Sequence, residues 1–385
     1  MLYFENDYSH GAHPAVLRRL AETNLTPQPG YGADAYSENA RRLIRQACDA
    51  PEADVYFISG GTQTNALVCG SLPRAWEGVV CASTGHINAH EAGAVEFSGR
   101  KILPLPHREG KLDAGALRGY LQGFFADPNH EHMVFPGMVY ISHPTEYGTL
   151  YSLEELTALS RVCREYRLPL FVDGARLAYA LGADTDVTLP ELAGLADVFS
   201  VGGTKCGALC GEALVFPRGA PEHFLTVTKQ RGAMLAKGRL CGAQFEALFT
   251  DGLYTQLGRE AVALAMRLRD GLMRRGWPLF IDSPTNQLFP ILPNVLLEEL
   301  GKAVTYSFWE PYNADCTVIR LAVSWATTGE DVDALLRELD RAVKALTPPD
   351  SPGWKVSKHL TIVPPAFKMG KNKESEVSLW PRTKK

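Results

Sequence analysis

Between about residues 55 and 216, short apolar runs rich in β-branched residues alternate with longer amphipathic ones. No other feature of the chain constrains its fold as tightly. Seven of the short runs read as strands: Val55–Ser59, Val79–Ala82, Lys101–Leu105, Met138–Ser142, Leu170–Asp173, Val198–Val201 and Ala213–Phe216. Several are apolar throughout, as strands covered on both faces are. Helical patterns separate them, among them Thr64–Leu72 and Ser152–Tyr166, the latter opening on the capping-box spacing Ser152-Leu153-Glu154-Glu155. The expectation is an α/β domain built on a mostly parallel, seven-stranded sheet.

After Pro217 the pattern changes. Residues 222–275 read as largely helical, followed by strand-like runs at Leu279–Phe280, Leu288–Ile291 and Val318–Val323 and a helix around Glu330–Leu346. This predicts a smaller α+β domain, closed by Pro348-Pro349, which cannot continue a helix. The implied division is an N-terminal arm at 1–20, a large domain at 21–250, a small domain at 251–347 and a basic, disordered tail at 348–385.

Charge narrows the function. The formal net charge is −4. The last 35 residues carry eight Lys/Arg and two Glu, which leaves 31 basic and 41 acidic residues in the first 350. A generic nucleic-acid binder needs a basic face, so none is expected. No apolar stretch approaches the ~20 residues of a membrane span, and the start of the chain has neither a basic n-region nor an apolar h-region. Eight cysteines without a Cys-x-x-Cys pair suit buried thiols in a reducing cytoplasm.

Three segments carry candidate chemistry. Ser59-Gly60-Gly61-Thr62-Gln63-Thr64-Asn65 follows the first strand and opens a helix, where free N–H groups and the positive dipole end favour an anion. It is neither the dinucleotide fingerprint nor a Walker loop, so the anion is a single phosphate, with a plain tight turn as the other reading. Leu170-Phe171-Val172-Asp173 ends a strand in a carboxylate at the sheet edge where ligands bind in open α/β folds. Its partner is either Arg176 or a helix N-terminus, or a protonated ring nitrogen on a cofactor. Val198-Phe199-Ser200-Val201-Gly202-Gly203-Thr204-Lys205 runs a buried strand into a lysine, whose desolvated amine becomes a nucleophile for carbonyls. Together they are the parts needed to hold pyridoxal phosphate: a lysine for the Schiff base, an acid for the pyridine nitrogen and a helix end for the phosphate.

The chain resembles the threonine aldolases, pyridoxal-phosphate enzymes of the aspartate-aminotransferase fold grouped with the β-eliminating lyases. The motifs that carry the resemblance are Tyr31-Gly32-Ala33-Asp34, Ser59-Gly60-Gly61-Thr62-Gln63, Gly85-His86 with Glu91-Ala92-Gly93, Val172-Asp173-Gly174-Ala175-Arg176-Leu177, Gly203-Thr204-Lys205 and Ile319-Arg320-Leu321. They extend over residues 1–345. The resemblance implies that Lys205 carries the cofactor with Thr204 beside it, that Asp173 pairs with the pyridine nitrogen and that His86 stacks on the ring. It assigns the phosphate to Gly61, Thr62 and Gln63, places Arg176 beside the cofactor phenolic oxygen and the substrate carboxylate, and has Arg320 clamp that carboxylate. Asn6 falls where a substrate-contacting serine stands, and Tyr31 and Arg239 fall in segments contributed across a subunit interface of a homodimer or homotetramer. The implied reaction is cleavage of the Cα–Cβ bond of β-hydroxy-α-amino acids, threonine or allo-threonine giving glycine and acetaldehyde. β-Elimination or transamination on the same cofactor is the nearest alternative, and a non-catalytic phosphate-ligand module a remote one.

The family's Glu-Asn-Thr-His segment aligns with His143-Pro144-Thr145-Glu146. Glu146 takes the place of the histidine that helps deprotonate the substrate hydroxyl, with His143 as the other candidate for that base. His86 and His90, followed by Glu91, fit neither zincin order, and no metal is expected. His10 and His13 are expected at the first helix start, and Cys206, beside Lys205, is expected to be a buried packing thiol.

Overall fold

The computed structural model describes residues 1–346, together with the antiparallel two-residue strands Lys355–Val356 and Ile362–Val363. The basic tail at 348–385 otherwise lies outside the described residues.

Seven strands form the main sheet: β1 (Asp54–Ile58), β2 (Glu77–Ala82), β3 (Ile102–Leu105), β4 (Phe135–Ser142), β5 (Leu170–Asp173), β6 (Val198–Gly202) and β7 (Glu212–Phe216). Their order is β1-β7-β6-β5-β4-β2-β3, parallel except for β7, which runs against both neighbours. All seven expected strands are present, with β4 starting three residues early.

Side chains alternate across a strand, and here the two faces feed separate cores. Val139, Ile141, Leu170, Val172, Phe199 and Val201 join one cluster; Met138, Tyr140, Phe171, Val198 and Leu214 join the other. The helix Leu153–Glu165 covers the first face through Leu156, Leu159 and Val162, and both halves of its capping box at Ser152 and Glu155 are formed. The helix Gly61–Ser71 covers the second through Leu67 and Val68. Each such buried aliphatic side chain contributes about 1.5–3 kcal/mol. The alternation also aims Asp173, two residues after Phe171, toward the face where the helix Gly61–Ser71 packs.

The small sheet has Cys316–Ala322 at its centre, antiparallel to Ile291–Pro293, Ser307–Pro311 and Gln287–Leu288. Three details depart from the sequence reading. Leu279 makes only an isolated bridge, to Pro290. The run Leu288–Ile291 splits into two strands because Pro290 has no N–H for a ladder. Ser307–Pro311 carries no apolar alternation and gave no strand signal. The chain start also enters this region: Leu2 and Tyr3 pair in parallel with Val304 and Thr305, and the Phe4 carbonyl accepts from the Ala322 N–H at 2.8 Å.

The helix Leu253–Arg274 packs on both parts of the molecule. A methyl at Gly258 would sit 1.8 Å from the Ala178 carbonyl oxygen, and one at Gly271 would sit 2.5 Å from Leu336. The first, against backbone, only glycine permits; the second would require Leu336 to shift. Leu336 lies on the helix Gly329–Leu346. No helix among the described residues is long and apolar enough to cross a membrane.

Candidate active site

The carboxyl ends of β4, β5 and β6 open onto a cavity of about 390 Å³, lined by Gly61, Thr62, Asn65, His86, Glu146, Asp173, Arg176, Thr204, Lys205 and Glu212, among others. Glycine-rich turns after β1 and β6 bring the backbone close. Gly60 precedes the helix Gly61–Ser71, whose first intrahelical bond is from the Thr64 N–H to the Gly60 carbonyl. The amides of residues 61–63 are therefore the free donors of a helix N-terminus.

Asp173 ends β5 at 6 % exposure. One of its oxygens, Oδ2, accepts from Asn65 Nδ2 at 2.8 Å and Tyr140 Oη at 2.7 Å. The other, Oδ1, accepts from the Ala175 N–H at 2.9 Å. Burial alone pushes this carboxyl up, but His86, the Tyr140 and Asn65 donors and Lys205 together hold it below its ordinary value. Asn65 spends its second N–H on Glu91 Oε1 at 2.7 Å, and that oxygen also meets His86 Nδ1 at 2.8 Å. One amide thus ties the acid at the bottom of the cavity to the imidazole at its wall.

Lys205 follows β6 through Gly203 and Thr204. Burial and the neighbouring Arg176 lower its amine, against the pull of Asp7, Asp173 and Glu212. The Gly203 and Thr204 N–H groups both bond the Gly211 carbonyl, at 3.0 and 3.1 Å, and the Gly211 N–H returns to Thr204 Oγ1 at 3.0 Å. This clasp fixes the backbone next to the lysine. Glu212, one residue on, is 3 % exposed and accepts from the Gly203 N–H; burial pushes its carboxyl up to about 8.

A second cavity of about 490 Å³ adjoins the first. It shares Tyr8, His86, His90, Glu146, Arg176 and Lys205 with it, and adds Tyr147, Ser307, Trp309, Glu310 and Arg320. Two guanidinium groups face this space. Arg176 forms a fork on Asp7, Nε to Oδ2 at 2.6 Å and Nη2 to Oδ1 at 3.0 Å. Asp7 is 1 % exposed and also accepts from Asn286; burial raises its carboxyl, but Arg176, Lys205 and these bonds hold it near 2. Arg320 is less well satisfied. It donates to Gln287 Oε1 at 3.2 Å, the Glu5 carbonyl at 3.1 Å and Ser307 Oγ at 3.2 Å, while its Nε has no partner. Gln287 Nε2 and Asn286 Oδ1 beside it are also buried without partners.

Glu146 and His143 sit differently. Glu146 Oε1 accepts from the His86 N–H at 2.8 Å and Ser142 Oγ at 2.5 Å, and burial raises its carboxyl. It lines both cavities. His143 lines neither of them; its Nδ1 turns to the Tyr151 N–H at 3.4 Å, and burial lowers it to about 4.

Four other residues singled out in the sequence are placed away from this site. The Gln63 side chain turns to Ser59 Oγ at 2.6 Å and the Gly232 carbonyl at 3.4 Å, so only its backbone faces the helix end. Asn6 Oδ1 closes its own turn on the Tyr8 N–H and Ser9 Oγ. Tyr31, half-exposed, lies under Lys229 at 4.2 Å and borders a separate cavity of about 250 Å³. Arg239 caps the first helix by donating to the carbonyls of Thr23, Asn24 and Thr26. His13 caps the start of that helix, its Nδ1 accepting from the Ala15 N–H at 3.3 Å, and stands edge-on to Trp325. The sequence reading gave no role to Asp7, Asn65, Tyr140 or Glu212. Asn65 could have been found, since it lies on the same helical turn as the phosphate-type motif; the others meet the site only through the fold.

The donor set suits pyridoxal phosphate: an ionised, buried acid, a destabilised lysine ammonium and a free helix end share one cavity, and Glu91 Oε2 is buried there without a partner. The sequence pattern of the beta-eliminating lyases matches residues 9–345. A low-specificity L-threonine aldolase of Pseudomonas aeruginosa is 30 % identical over 352 residues, 87 % of this chain and 96 % of that protein. The structure of Leishmania major threonine aldolase is 42 % identical and superposes with a TM-score of 0.86, covering 89 % of this chain and 99 % of that one. Thermus thermophilus aspartate aminotransferase, 17 % identical, shares the fold at a TM-score of 0.65 over 89 % of this chain and 96 % of that one.

Proposed function

Because the chain belongs to the beta-eliminating lyase family, we propose that it is a pyridoxal-phosphate-dependent lyase that cleaves the Cα–Cβ bond of β-hydroxy-α-amino acids, releasing glycine and an aldehyde. Threonine and allo-threonine are the substrates on which this reading rests, supported by the two threonine aldolases it resembles. The observation that carries it is the shared cavity of Lys205, Asp173 and the helix end at Gly61.

Bound there, the cofactor supplies a ring that accepts the electron pair left when the Cα–Cβ bond breaks. The residues of the chain do the rest. Lys205 holds the cofactor aldehyde; its lowered amine favours the unprotonated form that bonds a carbonyl carbon. Asp173, kept ionised by the donors on both its oxygens, would hold a proton on the pyridine nitrogen. His86, fixed through Glu91, would stack on the ring, and the amides of residues 61–63 with Thr62 would hold the phosphate. Arg320 clamps the substrate carboxylate with Arg176 beside it, a planar fork suited to that group. With the carboxylate fixed, the scissile bond can be held in the reactive orientation. Glu146 takes the β-hydroxyl proton: burial raises its carboxyl toward the working range of a general base.

A further reading, taken from the resemblance, is an assembly of two or four chains with the segments of Tyr31 and Arg239 at the contact between neighbours. The absence of any disulfide among the eight cysteines is compatible with a reducing, cytoplasmic setting.

The test uses the holoenzyme with each threonine diastereomer, following acetaldehyde. Acetaldehyde from either supports the assignment. Pyruvate and ammonia from serine, without acetaldehyde, would replace it with β-elimination. Protein that stays colourless with added pyridoxal phosphate, or keeps its absorbance in Lys205→Ala, would remove the lysine from its role.

A further inference from the structure

The sequence placed one notable thiol, Cys206, directly beside Lys205. In the structure Cys206 is fully buried, and burial pushes it up to about 12. A different cysteine reaches the cavity. Of the eight, only Cys210 is not buried, and it lines the same space as Lys205.

Cys210 is also held in place. Gln244 Nε2 donates to its carbonyl at 3.1 Å and lies 3.9 Å from its sulfur, while Gln244 Oε1 takes the Leu209 N–H at 2.7 Å. The Cys241 thiol, on the helix Arg239–Phe249, approaches from the other side: a methyl on Gly211, the residue next to Cys210, would lie only 3.3 Å from Cys241 Sγ. Two free thiols, one accessible and one buried, therefore flank Gly211. The neighbouring Cys241 thiol, acting as donor, favours the Cys210 thiolate, lowering it to about 6 against the opposing effect of burial. The same interaction pushes the Cys241 thiol up. The thiolate is the nucleophilic form.

Gly211 gives the pair a consequence. Its carbonyl and N–H form the clasp on Gly203 and Thr204 that fixes the approach to Lys205. A bond between the sulfurs on either side of Gly211 must pull on that clasp.

We propose that Cys210 is an oxidation site in the wall of the cavity, that a hydroperoxide joins it to Cys241, and that the resulting disulfide loosens the cofactor site. In the first step the Cys210 thiolate attacks the O–O bond of hydrogen peroxide. Cys210 becomes a sulfenic acid and hydroxide leaves. In the second step the Cys241 thiol displaces the sulfenic hydroxyl as water and forms the S–S bond. Two sulfur electrons are lost and one O–O bond is reduced.

The test treats the full-length holoenzyme with hydrogen peroxide and maps its peptides by mass. The expected result is one cross-linked pair containing residues 210 and 241, lighter by two hydrogens, reversed by dithiothreitol and accompanied by reversible loss of bound cofactor. In Cys241→Ser, dimedone should instead trap Cys210 as the sulfenic acid. Iodoacetamide at neutral pH should label Cys210 roughly tenfold faster than any other cysteine, as its thiolate fraction requires. The proposal is overturned if peroxide leaves Cys210 and Cys241 unlinked, if the dimedone adduct fails to form in Cys241→Ser, or if the cross-linked protein keeps its cofactor.

Discussion

The floor and the mouth of the site are built in opposite ways. The floor is assembled at the ends of neighbouring parallel strands and the first turns of the helix Gly61–Ser71. Its central acid, Asp173, has donors on both oxygens, from Asn65, Tyr140 and Ala175. The mouth draws Glu5, Asp7 and Tyr8, Arg176, Asn286 and Gln287, Ser307 and Arg320 from five parts of the chain, and three of its buried polar atoms, on Asn286, Gln287 and Arg320, have no partner. A buried polar group without a partner costs about 1–3 kcal/mol. The floor is thus preorganised for a resident group, whereas the mouth keeps hydrogen-bonding capacity for something that comes and goes. That division is what the proposed function asks for, a cofactor below and a substrate carboxylate above.

Substitution of the floor's acid should have the largest effect. Asp173→Asn should lower kcat about 10³-fold, about 4 kcal/mol of barrier, with the fold retained by circular dichroism. A near-normal rate at saturating cofactor would break the comparison at its base.

Acid should separate the two regions next. His143, packed behind the floor, is lowered to about 4 from an ordinary 6.5. Its contribution to stability is full above pH 6.5 and is lost as pH falls through 4, amounting to about 3 kcal/mol by pH 4. Asp7 at the mouth, held near 2, contributes stability present above its ordinary 3.8 and lost only on approach to 2. Denaturant titrations at pH 7 and 4 should therefore show the loss in the native protein and a flattened response in His143→Gln. An equal loss in both would transfer the acid sensitivity to other groups.

Arg320→Ala tests the mouth directly. The apparent KM for the amino acid should rise about 30-fold, about 2 kcal/mol as for a charged hydrogen bond, with kcat changed far less. Arg320→Lys should restore only part, because an ammonium cannot reproduce the fork. A lowered kcat at constant KM would assign Arg320 to the floor's work instead.

The smallest effect is expected at the link. Asn65→Ala removes one donor each from Asp173 and Glu91, and should weaken cofactor binding about tenfold, about 1.4 kcal/mol, read by equilibrium dialysis. Unchanged affinity would mean that Tyr140 and Ala175 suffice to hold the acid.

Much of the floor was legible because strand ends are local features. The apolar run ending in Asp173 and the run through Gly202-Gly203-Thr204 into Lys205 put both groups at one sheet edge before any contact was known. The mouth was only partly legible. Arg176 was visible from its motif, but its partner Asp7 lies 169 residues away, and nothing near Asp7 marks it as buried. Between Glu146 and His143 the sequence gave two candidates three residues apart; the chain after β4 turns one toward the cavity and the other onto Tyr151. The same holds for the thiols, where Cys206 adjoins the lysine in sequence and Cys210 adjoins the cavity in space.

Periodicity and strand-end chemistry, written within a few residues of one another, determined the α/β class, the large sheet and the positions of Asp173 and Lys205. Tertiary structure alone decided which side chains satisfy them. Hydrogen-bond partners such as Asn65 with Asp173, 108 residues apart, are fixed by how strands and helices pack, and packing depends on the whole chain at once.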